Sequence, residues 1–150
     1  MPQSLSQVVL HATFSTRDRT PWLDEELRPS VFAYLASVLH SQRHVPILIG
    51  GHEDHVHLLF GLSRTVSIAD TIKHTKVASS LWMKSEFAHR KDFAWQNGYG
   101  VFAVAYPTID SVKEYISNQD DHHRKLSFQD EFRRFMHENG ISFDERYVWD

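Results

Sequence analysis

The chain reads as a single α+β domain spanning residues 1–150. Strand-like runs alternate with helix-like periodicities along it. No repeat, low-complexity tract or linker divides it. Its 41% hydrophobic residues are enough for a core at this length, and its 23% charged residues are ordinary for a globular protein.

The elements follow in order. Gln7–Phe14 (QVVLHATF) is rich in β-branched and aromatic residues and reads as a strand. After the polar turn STRDRTP, Trp22–His40 carries Leu23, Leu27, Val31, Tyr34, Leu35 and Val38 at helical spacing. Asp24, Glu25 and Glu26 stand near its start, where the helix dipole favours acids. Val45–Ile49 is a short buried strand. Gly50-Gly51 and His52–Asp54 turn it into a second strand, His55–Leu62, so the two form a hairpin. Val66–Phe87 is a long helix with Ile68, Ile72, Val77, Leu81 and Trp82 as its apolar positions. Phe93–Tyr106 reads as a strand region broken at Asn97-Gly98 and ended by Pro107. Thr108 or Asp110 then caps a helix carrying Val112, Tyr115, Ile116 and Gln119, and Phe128–His137 is a last helix stopped by Asn139-Gly140. The tail, ISFDERYVWD, keeps enough large apolar side chains to pack on the body. The order β-α-β-β-α-β predicts the ferredoxin-like arrangement: a four-stranded antiparallel sheet, two helices on one face, and C-terminal helices in addition.

Composition excludes several functions. The chain has no cysteine, so thiol nucleophiles, disulfide frameworks and Cys-based metal sites are out. The N-terminal stretch lacks the pattern of a signal peptide, and Val101–Tyr106, as long as any apolar run in the chain, is too short for a membrane span. A soluble, cytoplasmic protein with no membrane partner is expected. The net charge of −3 is unevenly spread: Arg64–Lys91 holds six basic residues against two acidic ones, whereas Tyr106–Asp150 is acidic. A basic middle of this kind can present one positive face.

Histidine is abundant, and three of the eleven fall within His52–His57. In the strand, His55 and His57 are two apart and project to one face while Val56 faces the other. Two neutral imidazoles on a rigid hairpin make half of a metal site; read alone, such a pair is more often a surface histidine beside a packed one. The segment HEDH places its histidines three apart, so it is not the zinc-protease motif. On the later helix Tyr115 and Gln119 are four apart and share a face. By themselves they read as one core and one surface residue, or as a nucleophile and a carbonyl ligand.

Taken together, these segments resemble the single-tyrosine HUH transposases that act on single-stranded DNA, including the REP-associated tyrosine transposases. The matching stretches are DHVHLLF (Asp54–Phe60), the helix with Ser79-Ser80 and Trp82, WQNGYGVF (Trp95–Phe102), YISNQ (Tyr115–Gln119) with His122-His123, and the tail FQDEFRRFMHENGISFDERYVW. They cover nearly the whole chain in the family's order. The resemblance implies a ferredoxin-like or RRM-like core, His55 and His57 as the two HUH metal ligands, Gln119 as the third, and Tyr115 as the catalytic nucleophile. It also implies Mg²⁺ or Mn²⁺ as cofactor, a hairpin-bearing single-stranded DNA substrate, a 5′-phosphotyrosine intermediate and a homodimer. Such a ligand set is neutral and would bind metal modestly. Gly50-Gly51 and the acidic net charge depart from the family's usual pattern.

Arg17, Arg64, Lys73 and Lys76, with Arg19 beside them, are the candidate DNA-binding residues, since protein–DNA hydrogen bonds go largely to phosphates. Phe14, Trp22 and Trp95 are candidates for stacking on a base or for the core. Two other readings fit the sequence. One is a domesticated nucleic-acid-binding regulator without transposition. The other is a metal-binding domain with no nucleic-acid partner.

Overall fold

A computed structural model describes residues 2–150. Four strands, β1 (Val9–Ser15), β2 (Val45–Gly51), β3 (His55–Gly61) and β4 (Gly100–Val104), form one sheet in the order β2-β3-β1-β4, and every neighbouring pair is antiparallel. Two helices cross over between strands: α1 (Arg28–Ser41) and α2 (Ile68–Glu86). Three more follow β4: α3 (Ile109–Ser117), α4 (Gln119–His123) and α5 (Phe128–Glu138). This is the expected ferredoxin-like topology with C-terminal helices.

The period of two divides the central strands between two cores. Leu10, Ala12 and Phe14 of β1 and Val56, Leu58 and Phe60 of β3 meet α1 and α2 around Leu35, Leu39, Ile72 and Met83. On the opposite face Val9 and Leu59 pack on Ile116 of α3. Phe102 of β4 joins Phe128, Phe132 and Met136 of α5 there, with Trp149 of the tail packed against them. Both faces of the sheet are therefore covered.

Three boundaries differ from the sequence reading. First, α1 begins at Arg28, not near Trp22. The Asp24 carboxylate accepts the Leu27 N–H at 2.9 Å and closes a separate turn, and Pro29, with no N–H to lose, fits the first turn of the helix that follows. Leu23 and Leu27 reach the core all the same. Second, β4 is only Gly100–Val104. Upstream, Trp95 makes an isolated bridge to Thr16, and the Gln96 side chain, not a backbone carbonyl, accepts the Ser15 N–H at 2.8 Å. Third, the helix carrying Tyr115 stops at Ser117, and Gln119 opens the next one.

Ser67 caps α2, its hydroxyl accepting the Asp70 N–H at 3.0 Å. Gly50 has a spatial role. A Cβ there would lie 2.5 Å from Ile116 Cγ2 and 2.9 Å from the Ile116 carbonyl oxygen. Only glycine lets α3 settle so closely on β2, and Tyr115 is the neighbour of Ile116. Gly51, with φ of +155° and no room for a Cβ beside the His55 carbonyl, completes the turn. Gly50 is thus a packing device for the tyrosine helix, and Gly51 one for the hairpin turn.

Candidate active site

On the α3–α5 face of the sheet, His55 and His57 are fully buried, as their alternation along β3 requires. They meet Glu131 of α5, which is also fully buried. His57 Nε2 lies 2.9 Å and His55 Nε2 3.4 Å from Glu131 Oε1. One ligand atom from each of these three residues falls within 4.8 Å of the others, a spacing that a single metal ion can bridge. Gln119 is adjacent, with its Oε1 2.9 Å from His55 Nε2 and its Nε2 donating to Glu131 Oε2 at 3.3 Å. Tyr115 donates its hydroxyl hydrogen to Glu131 Oε2.

The remaining ring nitrogens are anchored. His55 Nδ1 lies 2.7 Å from Asp54 Oδ1, and His57 Nδ1 lies 2.7 Å from Nε2 of His11 on β1. A ring nitrogen tied in this way fixes the tautomer and leaves the other for a metal. His123 Nε2 stands 2.9 Å from Gln119 Oε1 and 3.2 Å from Glu131 Oε2. Arg134 donates to the Tyr115 hydroxyl at 3.2 Å, and His122 stacks on the tyrosine ring at a centroid distance of 4.5 Å.

The electrostatics follow from burial and one carboxylate. Burial opposes charge on Glu131, but the surrounding imidazoles outweigh it and hold the carboxyl well below its ordinary range. Burial would likewise keep His55 neutral; its hydrogen bonds to Asp54 and Glu131 overcome that and raise it to about 9. His11 has no such partner, so burial and the nearby His57 lower it to about 3. His57 is lowered too, chiefly by burial. Burial and the Glu131 carboxylate raise the Tyr115 phenol, and Arg134 offsets part of this.

The residues singled out in the sequence divide into two places. His55, His57, Tyr115 and Gln119 converge here, although Gln119 stands on its own short helix. Its side chain reaches Tyr115 through a 3.5 Å contact from Nε2 to the Tyr115 carbonyl. Arg17, Lys73 and Lys76 instead line a groove beside α2, whose buried residues pack on the other face of the sheet, and Arg64 lies exposed between β3 and α2. Lys76 Nζ donates to the carbonyls of Gln96, Asn97 and Gly98 at 2.6–3.2 Å. Phe14 and Trp95 are core residues, at 0% and 5% exposure, and the Trp95 indole N–H donates to Ser79.

Glu131 and His11 escaped the sequence reading. Glu131 sits in the amphipathic pattern FQDEFRRFMHE among exposed acids, and only its place between Phe128 and Phe132 on the buried side marks it. His11 is two residues from the buried Val9 on the same side of β1, a period-two signal that was there to read. Glu131 also changes the character of the site: a set of neutral ligands becomes one with a buried negative charge.

The comparisons with known proteins agree with this fold. The sequence pattern of the family described as Transposase IS200 like matches residues 4–119. A crystal structure of a candidate transposase from Deinococcus radiodurans R1 is 26% identical, with a TM-score of 0.65 over 79% of this chain and 98% of that one. A REP-associated tyrosine transposase bound to a REP hairpin is 12% identical and shares the fold, with a TM-score of 0.61 over 84% of this chain and 74% of that one. No curated protein matches the sequence. No helix among the described residues is long and apolar enough to cross a membrane. The family pattern runs through β1, the His55/His57 strand and the Tyr115–Gln119 segment, and on that ground this chain belongs to the IS200-like transposase family.

Proposed function

We propose that this protein is a metal-dependent single-strand DNA endonuclease and strand-transferase. It cuts hairpin-bearing single strands through a covalent 5′-phosphotyrosine at Tyr115 and works in the cytoplasm as a homodimer. The observation that carries this reading is the convergence of Tyr115 with His55, His57, Gln119 and Glu131 within one chain.

The donor set fits a divalent cation. It offers two imidazole nitrogens whose partner nitrogens are anchored, one carboxylate oxygen and one amide oxygen, which suits Mn²⁺ or Mg²⁺, and its imidazoles also tolerate Zn²⁺. Bound there, such an ion would polarise the scissile phosphate as a Lewis acid. The chain supplies the rest. Glu131 Oε2 already accepts the Tyr115 hydroxyl hydrogen bond, so it aims the phenol oxygen at phosphorus, and the phenol proton passes on to the leaving 3′ oxygen. The new bond is Tyr115 O–P and the broken bond is P–O3′, and the leaving 3′ oxygen takes up a proton. The phosphodiester energy is kept in the phosphotyrosine, so rejoining is the same transesterification reversed. Arg134 steadies the phenol and His122 holds its ring by stacking. One nucleophilic tyrosine per chain makes two chains the unit for two cuts.

The test is a covalent-adduct assay. A labelled pool of hairpin-bearing single strands is incubated with Mn²⁺ or Mg²⁺, denatured and resolved on a gel. A protease-sensitive shifted band is expected, absent in Tyr115→Phe and in EDTA. DNA binding without any adduct would replace this reading with that of a binding regulator.

A further inference from the structure

Away from the tyrosine site, α2 and the Ala94–Tyr99 segment enclose a groove of about 440 Å³, within the range of small-ligand sites. Its walls combine two kinds of group. Val77 and Leu81 on α2 and Tyr99 opposite are apolar side chains left 52%, 64% and 39% exposed. Arg17 and Lys73 at its rim are exposed cations, and no carboxylate lines it. Positive charge without acids, in a chain of net charge −3, is a local concentration that complements phosphate. Ser80 and Asn97 add hydroxyl and amide groups able to pair with a base edge.

The groove is built and not merely open. Lys76 lines it as well, and its ammonium donates to three successive carbonyls, from Gln96 to Gly98. That ammonium also lies 4.9 Å from the Phe14 ring and 5.5 Å from the Tyr99 ring. The Tyr99 wall is thereby pinned to α2 at a set width. Lys76 is spent on this pinning, which leaves Arg17 and Lys73 to meet a ligand.

We propose that this groove binds an unpaired nucleotide of single-stranded DNA, with the base between Tyr99 and the Val77/Leu81 edge and the flanking phosphates at Arg17 and Lys73. The proposal rests on the DNA-cleaving reading above and deepens it. The groove and the cleavage site lie on opposite sides of the sheet, so a strand held here reaches the tyrosine only at a set contour distance. The groove would then help decide where the cut falls.

The experiment measures binding of fluorescent random-sequence single-stranded DNA by anisotropy across a salt series in EDTA, with the adduct assay run beside it. Tyr99→Ala should weaken binding about tenfold, the loss of one base–aromatic stack. Lys73→Ala should lower the slope of log affinity against log salt by about 0.7, the loss of one phosphate contact on a single strand. Leu81→Glu should weaken binding at least as much as Tyr99→Ala. All three side chains are exposed, and circular dichroism checks that each variant is folded. With 5-iododeoxyuridine in the strand, ultraviolet cross-linking should label the peptide containing Tyr99. Unchanged affinity in all three variants, with normal adduct formation, overturns the groove proposal and leaves the cleavage reading standing. A change of oligomeric state in Leu81→Glu without loss of DNA binding also overturns it, because the groove would then seat a second copy. Absence of both binding and adduct in the wild-type chain overturns both readings.

Discussion

On one side of the sheet, β1 and β3 present Leu10, Ala12, Phe14, Val56, Leu58 and Phe60 to α1 and α2. On the other side the same two strands bury His11, Thr13, His55 and His57, and His55 and His57 meet a buried glutamate and glutamine. The first surface is held by apolar burial, which is non-directional and tolerant of small shifts. The second is a hydrogen-bonded network in which each buried polar group depends on a particular partner, and the loss of one partner leaves another unsatisfied. A stable, forgiving face supports an exacting one.

This contrast can be broken most sharply at the nucleophile. Tyr115→Phe should lower cleavage by more than about 10³-fold, read as rate and as adduct on a gel, because no second nucleophile is in place. Its melting temperature should change little. Equal activity would show that the network is structural only.

On the apolar side, Phe14→Ala should cost about 3–5 kcal/mol in urea unfolding, through lost burial and an unfilled cavity. Its folded fraction should bind Mn²⁺ normally. Weakened metal binding in that fraction would mean that the two faces are coupled.

Gly50→Ala tests the contact between them. The added Cβ must push α3 from β2, at about 1–3 kcal/mol. Cleavage should fall by more than the stability loss explains, because Tyr115 moves with Ile116. A proportionate fall would sever that link.

His11→Phe keeps a ring against Phe102 and Phe135 but removes the anchor of His57. Mn²⁺ affinity, followed by calorimetric titration, should drop about 10–100-fold. A value equal to wild type would remove His11 from the site.

The last test is in pH. His11 is lowered to about 3, so it is neutral in the folded chain and must be charged only at the cost of folding. Its share of stability is present above 6.5 and is lost at about 1.4 kcal/mol per pH unit as pH falls from 6.5 towards 3. His55 has the opposite sign. Raised to about 9, it stabilises fully below 6.5, and that stability is lost as pH rises to about 9. Metal-free protein should therefore be most stable near pH 6.5, and urea midpoints across pH would show it. His11→Phe should flatten only the acid limb.

The sequence already carried the sheet, because alternation in QVVLHATF and HVHLLFGL sets which side chains share a face. For the same reason it carried the pairing of His55 with His57. Tyr115 and Gln119 were legible only through resemblance, since a Tyr-x-x-x-Gln spacing has no chemistry of its own. What the local pattern could not contain was decided in three dimensions. Asn118 ends the helix between Tyr115 and Gln119, so their approach depends on α4 packing and not on one helical face. Glu131 lies 74 residues beyond His57, and along the chain only its helical phase with Phe128 and Phe132 separates it from the exposed Asp130. Its burial, its charge and its hold on Tyr115 exist because α5 docks on the polar face of the sheet. Periodicity along a chain determines which way a side chain faces; which distant side chain it meets is settled by packing, where a buried carboxylate is retained only if imidazoles and a phenol are there to satisfy it.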